Sequence, residues 1–399
     1  MSDLLEVAEA GRRVAARVTP LEVERVPLAA AMGRIAAEDG RSAVDLPPFD
    51  RSAMDGYAVR AADTAPPAPL ALTGEVAAGE VAAGTLVPGT ALGITTGAAL
   101  PAGADAILRV EDAHVQDGHV TPAGEVRRGR HVRYRGEDVE RGAVLAPAGE
   151  PLTVQRLTGL ASAGVGEVAV RRRPVVHVLA TGTELLEVGA PPEPGRVHES
   201  NRLTLQLLAE RTGAQVVLHP VVPDDRAATH RAVTAALEGD VLLVSGGVSV
   251  GPHDHVKPAL EAAGVSEEFW RVRLKPGKPL WFGHRGATLV FGLPGNPLST
   301  IACYLLFVGP ALRRMQGEAG AAPLTVPVRL ATAAGPSDNR TTLLTARLAR
   351  GADGVWEATP TEGQGSHLTG ALAASDAFAI VPHDAGEQPA GALLDALLL

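Results

Sequence analysis

Ser245, Gly246, Gly247, Ser249 and Gly251 follow directly on the apolar run Val241-Leu-Leu-Val244, and His253, Asp254 and His255 come straight after them. Glycines let a backbone approach a ligand closely, and successive N–H groups in such a loop can turn inward around an oxyanion. Asp254 adds a carboxylate to a loop otherwise suited to anions, and a divalent cation between the two would make both useful. A phosphate-bearing ligand with a metal ion fits that combination. Two further segments have the same texture. One is Thr181-Gly-Thr-Glu184, with Thr181, Gly182 and Glu184 as candidates; the other is Gly292-Leu-Pro-Gly-Asn-Pro297, with Gly292, Pro294, Gly295 and Asn296. The latter runs straight into a predicted helix N-terminus, a favoured anion seat. A glycine-rich loop alone is often only a turn, whereas three such loops meeting in one place make a ligand site.

Lys275-Pro-Gly-Lys-Pro279 sets two ammonium groups three residues apart on a turn stiffened by proline. Lysine is scarce in this arginine-rich chain, so the pair reads as a grip for an oxyanion rather than as incidental surface charge. Glu184, Asp224, Asp225 and Asp254 are candidates for a hard cation such as Mg2+, which takes oxygen ligands and typically only one or two protein carboxylates plus phosphate. Asp224 and Asp225 also precede a helix, where capping explains them equally well. His253 and His255 alternate about Asp254, point apart and are poor zinc ligands. Arg127, Arg128, Arg130, Arg133 and Arg135 form either a solvated face or a phosphate grip. Leu46–Ala58 places Phe49 and Tyr57 beside Asp50 and Asp55, as a loop that closes over a ligand or docks on a partner subunit.

These groups must be held by a framework, and the chain supplies one in four parts. A helix is expected over residues 3–17 and a second from about Leu28 to Glu38. Residues 43–140, rich in Val, Thr, Gly and Pro, read as a small all-β insertion. Helical character returns near Val154–Ala163. After Arg171-Arg-Arg-Pro174, strands at Val175–Ala180, Gln215–Val222, Val241–Val244 and Thr288–Phe291 alternate with helices at Asn201–Thr212, Arg226–Leu237, Val256–Ala263 and Pro297–Met315. Asn201 is expected as an N-cap, and Pro297 suits a first helical turn. This alternation predicts a mostly parallel sheet covered on both faces, with ligands at the carboxyl ends of its strands. Beyond residue 322, Val326–Leu330, Thr342–Arg347, Val355–Ala358 and Ala377–Val381 read as strands of a small closing barrel.

A chain of 399 residues with 46% hydrophobic and 20% charged residues is a multidomain globular protein. Aromatics are 3%, so its cores are built from Ala, Val and Leu. The net charge of -9 argues against general nucleic-acid binding. The single cysteine, Cys303, excludes an internal disulfide. The N-terminus lacks signal-peptide character, and no run approaches the roughly 18 to 20 apolar residues that span a bilayer. A cytoplasmic protein without membrane contact is expected.

Taken in order, Pro48-Phe-Asp-Arg-Ser-Ala-Met-Asp-Gly-Tyr-Ala58, Thr95-Thr-Gly-Ala98, Arg135-Gly-Glu-Asp138, Thr181–Leu185, Ser245–Gly251, Lys275–Pro279, Gly292–Pro297 and Gly363-Gln-Gly-Ser-His367 closely resemble the MoeA family. These are the molybdopterin molybdenumtransferases, related to the C-terminal domain of gephyrin. The resemblance implies a multidomain α/β plus β architecture. Its parts are a mixed helical domain (1–42 and 140–172), a β-rich insertion (43–139), a MogA-like three-layer α/β domain (173–320) and a C-terminal β-barrel (321–399). It implies Mg2+-assisted insertion of molybdate into adenylylated molybdopterin with release of AMP. It further implies a homodimer whose active site lies between the α/β domain of one chain and the β insertion of the other, and contact with the molybdopterin adenylyltransferase. Carried over by motif, the functional positions are Asp55, Thr96, Asp138, Glu184, Asp254, Lys275, Lys278 and Ser366, with Asp224 or Asp225. Many relatives carry Gly-Arg-x-x-Phe-x-Arg where this chain has Asn339-Arg-Thr-Thr-Leu-Leu-Thr345. Arg340 is kept, Thr345 stands at the second arginine, and Arg347 on the same strand face is the candidate substitute. An adenylyltransferase would consist essentially of the α/β domain alone, and a non-catalytic scaffold would not need the acids and lysines present here.

Overall fold

The computed structural model describes residues 4–247 and 254–399. The N-terminal helix Val7–Arg17 buries Ala10 and Val14 in the core shared with the helix Gly309–Met315. Strand Val23–Pro27 then pairs antiparallel with Glu167–Arg171, and Gly40–Arg41 pairs with Val144–Ala146. These pairings bring the two halves of the discontinuous N-terminal region together. The helix expected over 28–38 is absent: a single 3-10 turn, Leu28–Ala30, is followed by bridges from Ile35 to Pro151 and Ala36 to Val170. Ala31 and Ile35 have helical spacing and both are buried, but Gly33 at φ +72° breaks the helical path. Helix Val154–Ser162 forms as expected, with the Thr153 hydroxyl accepting from Arg156 N at 3.4 Å.

The insertion is a six-stranded mixed sheet in the order Ala106–Arg109, Gly56–Val59, Thr90–Ile94, Leu70–Val76, His119–Pro122, Ala113–Gln116. Neighbouring residues face opposite cores, with Val59 and Leu108 on one side and Ala58 and Ile107 on the other.

In the α/β unit, Gln215–Leu218, Val175–Ala180, Val241–Ser245 and Thr288–Leu293 lie parallel in that order. Val241–Ser245 is buried throughout, and its residues alternate between two cores: Val241 and Leu243 pack with Leu205 and Phe307, while Leu242 and Val244 pack with Val233 and Leu260. Each such side chain contributes about 1.5–3 kcal/mol on burial. The sheet continues into two antiparallel strands absent from the sequence reading, Trp281–Arg285 and Ser266–Trp270. The long helix from Pro297 is interrupted by a π-turn at Tyr304–Val308 before Gly309–Met315. Pro310 has no N–H for the Leu306 carbonyl, and the helix widens there.

The C-terminal region is a closed five-stranded barrel: Thr341–Arg350, Trp356–Pro360, Thr325–Leu330, Leu393–Leu398 and Ala377–Val381, which pairs back onto Thr341–Arg350. Leu393–Leu398 escaped the sequence reading because it has no alternating pattern. The two-residue strand Leu274–Lys275 pairs parallel with Thr341–Thr342 and ties the barrel to the α/β unit. Among the described residues no helix is long and apolar enough to cross a membrane.

Candidate active site

The strand ends of the α/β sheet are laced together by backbone hydrogen bonds. Thr181 N donates to Ser245 O at 3.2 Å, Gly182 N to Val222 O at 3.0 Å, and Gly246 N to Leu293 O at 3.1 Å. The three predicted loops, Thr181–Glu184, the start of Ser245–Gly251 and Gly292–Pro297, therefore open on one crevice. Gly246 sits at φ +85°, and a Cβ there would lie 2.9 Å from the Thr181 carbonyl oxygen, so the loop can pass this close only without a side chain. Ser249, Gly251 and His253 lie outside the described residues.

Asn201 was expected to cap a helix and does something else. Ser200 occupies the cap, Asn201 is the first helical residue, and it is only 6% exposed. Its Nδ2 donates to Ser245 Oγ at 2.8 Å and to the Gly295 carbonyl at 2.7 Å, joining two crevice loops. The capping is done by Glu199, buried, which accepts from Asn201 N at 2.7 Å and Arg202 N at 3.0 Å.

The carboxylates divide by role. Asp225 caps the helix Arg226–Ala236, accepting from Ala228 N at 2.7 Å. Asp224 Oδ2 accepts from Thr183 N at 3.1 Å while Asp224 N donates to Thr183 Oγ1 at 3.1 Å, a reciprocal pair that fixes the loop. Glu184 folds its carboxylate back over Gly182, so that a Cβ on Gly182 would meet Glu184 Oε2 at 2.7 Å. Asp254 stands just before His255, which takes the cap position of the helix Val256–Ala262. Among the described residues no three His, Cys, Asp or Glu gather as a metal cage. Mg2+ sites typically take only one or two protein carboxylates and complete their shell with water and phosphate.

A second group of predicted residues meets in a cavity of about 580 Å³ between the α/β unit and the barrel, lined by Lys275, Lys278, Pro294, Asn296, Arg340 and Ser366, among others. Lys275 Nζ donates to Ser337 Oγ and lies 3.4 Å from Asp338 Oδ2, which also takes Arg340 Nη2 at 2.5 Å. The Arg340 hydrogen bond, then that of Lys275, holds the Asp338 carboxyl below its usual range. Asn296 Nδ2 donates to Ser366 Oγ at 3.1 Å, linking the Gly292–Pro297 loop to the barrel. Beneath the lysine turn, Cys303 is fully buried, and burial pushes its thiol far up, so it is a packing residue without thiolate chemistry. Arg347 is not at this cavity; it is exposed and donates to the Ala374 carbonyl at 3.0 Å.

The β insertion holds the third group. Asp55 Oδ1 accepts from Thr96 N at 2.6 Å and Thr96 Oγ1 at 2.9 Å, and these bonds hold its carboxyl below the usual range. Asp138 lines a different cavity, of about 1070 Å³, with Arg51, Arg133 and Ser162. Of the arginine run, Arg128, Arg133 and Arg135 pair with Asp105, Glu137 and Asp45, as a solvated face does. From sequence, Asn201 has only a capping role and Gln364 only a place in a motif, whereas Asn201 bridges two crevice loops and Gln364 lines the barrel cavity.

Family models match nearly the whole chain: the MoeA N-terminal region (domain I and II) over residues 5–164, a probable molybdopterin binding domain over 177–314, and the MoeA C-terminal region (domain IV) over 327–399. A molybdopterin molybdenumtransferase of Haemophilus influenzae is 38% identical over 301 residues, 75% of this chain and 74% of its own. The protein of that name from Bacillus subtilis is 33% identical over 99% of this chain and 94% of its own. The crystal structure of a molybdopterin biosynthesis MoeA protein from Pyrococcus horikoshii superposes with a TM-score of 0.84 at 30% identity, covering 100% of both chains. With its three domain models in order and relatives matched over most of their length, the chain belongs to the MoeA family of molybdopterin molybdenumtransferases.

Proposed function

We propose that this chain acts in molybdenum cofactor biosynthesis as a molybdopterin molybdenumtransferase, inserting molybdate into adenylylated molybdopterin and releasing AMP. The observation that carries this reading is the cavity that unites Lys275, Lys278, Arg340, Asn296 and Ser366. Three cations less the Asp338 carboxylate leave two net positive charges, which match a tetrahedral dianion. At an effective dielectric near 20, each unit pair at 4 Å attracts by about 4 kcal/mol, enough to favour a dianion over neutral solutes. The neighbouring loop at Ser245–Gly247 seats the phosphate of the adenylate or pterin; a molybdate oxygen or water attacks the pterin-side phosphorus of the phosphoanhydride, the P–O bond to the adenylate breaks, and AMP departs as the leaving group.

Glu184, Asp224 and Asp254, with phosphate oxygens, would hold Mg2+, which supplies charge neutralisation at the phosphate. In the dimer of this reading, Asp55, Thr96 and Asp138 come from the β insertion of the second chain, and the adenylylated substrate is handed over by the adenylyltransferase. The division of the chain at residues 43, 140, 173 and 321 belongs to the same proposal. Asp254→Ala and Lys275→Ala are each expected to abolish AMP release while circular dichroism and thermal midpoint stay near wild type. AMP release at wild-type rate from either variant would overturn the assignment.

A further inference from the structure

The side of the cavity that carries Gln364, Gly365, Ser366 and His367 belongs to a loop with little regular structure of its own. One residue of that loop, Gln364, is anchored through every polar atom of its side chain. Its Oε1 accepts from Thr345 N at 2.9 Å and lies 3.2 Å from Thr345 Oγ1; its Nε2 donates to the carbonyls of Thr345 at 3.1 Å and Thr361 at 3.0 Å. The hydroxyls of Thr345 and Thr361 are 2.6 Å apart, and Thr361 N donates to Thr345 O at 2.8 Å. Two carbonyls face one end of the amide, so the orientation of the group is fixed: only the NH2 end can lie there. Thr345 is fully buried.

The anchor sits on the strand that also builds the other wall. Thr341–Arg350 begins immediately after Arg340 and pairs through Thr341 and Thr342 with Leu274 and Lys275. A single strand therefore carries the arginine at its mouth, registers the lysine turn beside it, and through Thr345 fixes the loop of Ser366. Ser366 lines the cavity and its Oγ accepts from Asn296, so its own O–H remains available as a donor.

We propose that Gln364, clamped by Thr345 and Thr361, is a positioning residue that sets the reach from Ser366 to Arg340 and the two lysines, and through it the affinity for the oxyanion. Thr345 thus serves the site by holding a loop, without itself facing the ligand. The proposal rests on the reading of this cavity as the molybdate seat.

The test is calorimetric titration of molybdate into the full chain, with thermal midpoints measured alongside. Arg340→Ala checks the cavity itself and is expected to weaken binding at least tenfold. Gln364→Met, of similar volume but without the amide, is expected to weaken binding by a similar factor with the thermal midpoint within a few degrees of wild type. Thr345→Val is expected to weaken it less, and Thr345→Ser, which keeps the hydroxyl, to stay within twofold. If Arg340→Ala weakens binding while Gln364→Met stays within twofold, the clamp is wrong and the cavity reading stands. If Arg340→Ala has no effect, the cavity reading fails and the clamp with it. Should Gln364→Met not fold, the Thr345→Val and Thr345→Ser pair decides: equal affinities would overturn the clamp.

Discussion

Asn201 shows what a single side chain contributes at the crevice. Its amide satisfies Ser245 Oγ and the Gly295 carbonyl at once, and both partners lie on loops of the proposed site. Asn201→Ala removes both bonds from a buried position and is expected to cost about 1–3 kcal/mol, read as a lower urea midpoint; a change below about 0.5 kcal/mol, the range of ordinary surface substitutions, would contradict it. Asp55 makes a second prediction. Thr96 lowers its pKa, so the interaction is present above the ordinary value near 3.9 and is lost as pH falls through the folded value. An NMR titration should find Asp55 below that value, and Thr96→Val, which keeps only the backbone donor, should move it upward. The lysines were legible in sequence because the chain has only three and two of them flank a Pro-Gly turn. Asn201 and Gln364 were not, because nothing local tells which amide turns toward a crevice formed by residues 44 and 94 positions away, or clamps one 19 away.

Among elements, the central strand Val241–Val244 was readable because burial on both faces leaves an unbroken run of Val and Leu. Ser266-Glu-Glu-Phe-Trp270, at the sheet edge, carries too few apolar residues to declare itself. The lost helix at 28–38 failed for the opposite reason: its apolar spacing was helical, but the buried faces were claimed by strand bridges to Pro151 and Val170. Two adjacent parallel strands also bring together His177 and the residue just beyond the second, His219, with Nδ1 and Nε2 2.9 Å apart. Burial lowers both pKa values, and in His219 the nearby His177 adds to the effect. Neutral in the fold and protonated when unfolded near pH 6.5, the pair contributes stability above that pH which is lost as pH falls through the lower folded values. Urea stability should therefore decline below about pH 6.5, and the double substitution of His177→Gln and His219→Gln should flatten that slope. An unchanged slope would show that other groups govern it.

At the scale of the molecule, the proposed machinery falls into three groups: carboxylates and glycine loops at the sheet ends, cations at the barrel junction, and Asp55, Thr96 and Asp138 in the β insertion. The first two share the Gly292–Pro297 loop, through Gly295 on one side and Asn296 on the other. If the third is completed by a second chain, Asp55→Ala and Asp254→Ala chains, each inactive alone, should recover up to about a quarter of wild-type activity when mixed, because a heterodimer of symmetric chains keeps one intact site. No recovery from confirmed heterodimers would place the site within one chain. Chelation of Mg2+ is expected to stop AMP release and leave molybdate binding unchanged, since the cations and not the metal seat the oxyanion in this account. The measurement that bears most directly on the whole is incubation of the full chain with adenylylated molybdopterin, Mg2+ and molybdate, following AMP release and activation of an apo-molybdoenzyme together. AMP release that depends on molybdate and is matched by activation is expected; a folded protein that gives neither would overturn the transferase reading.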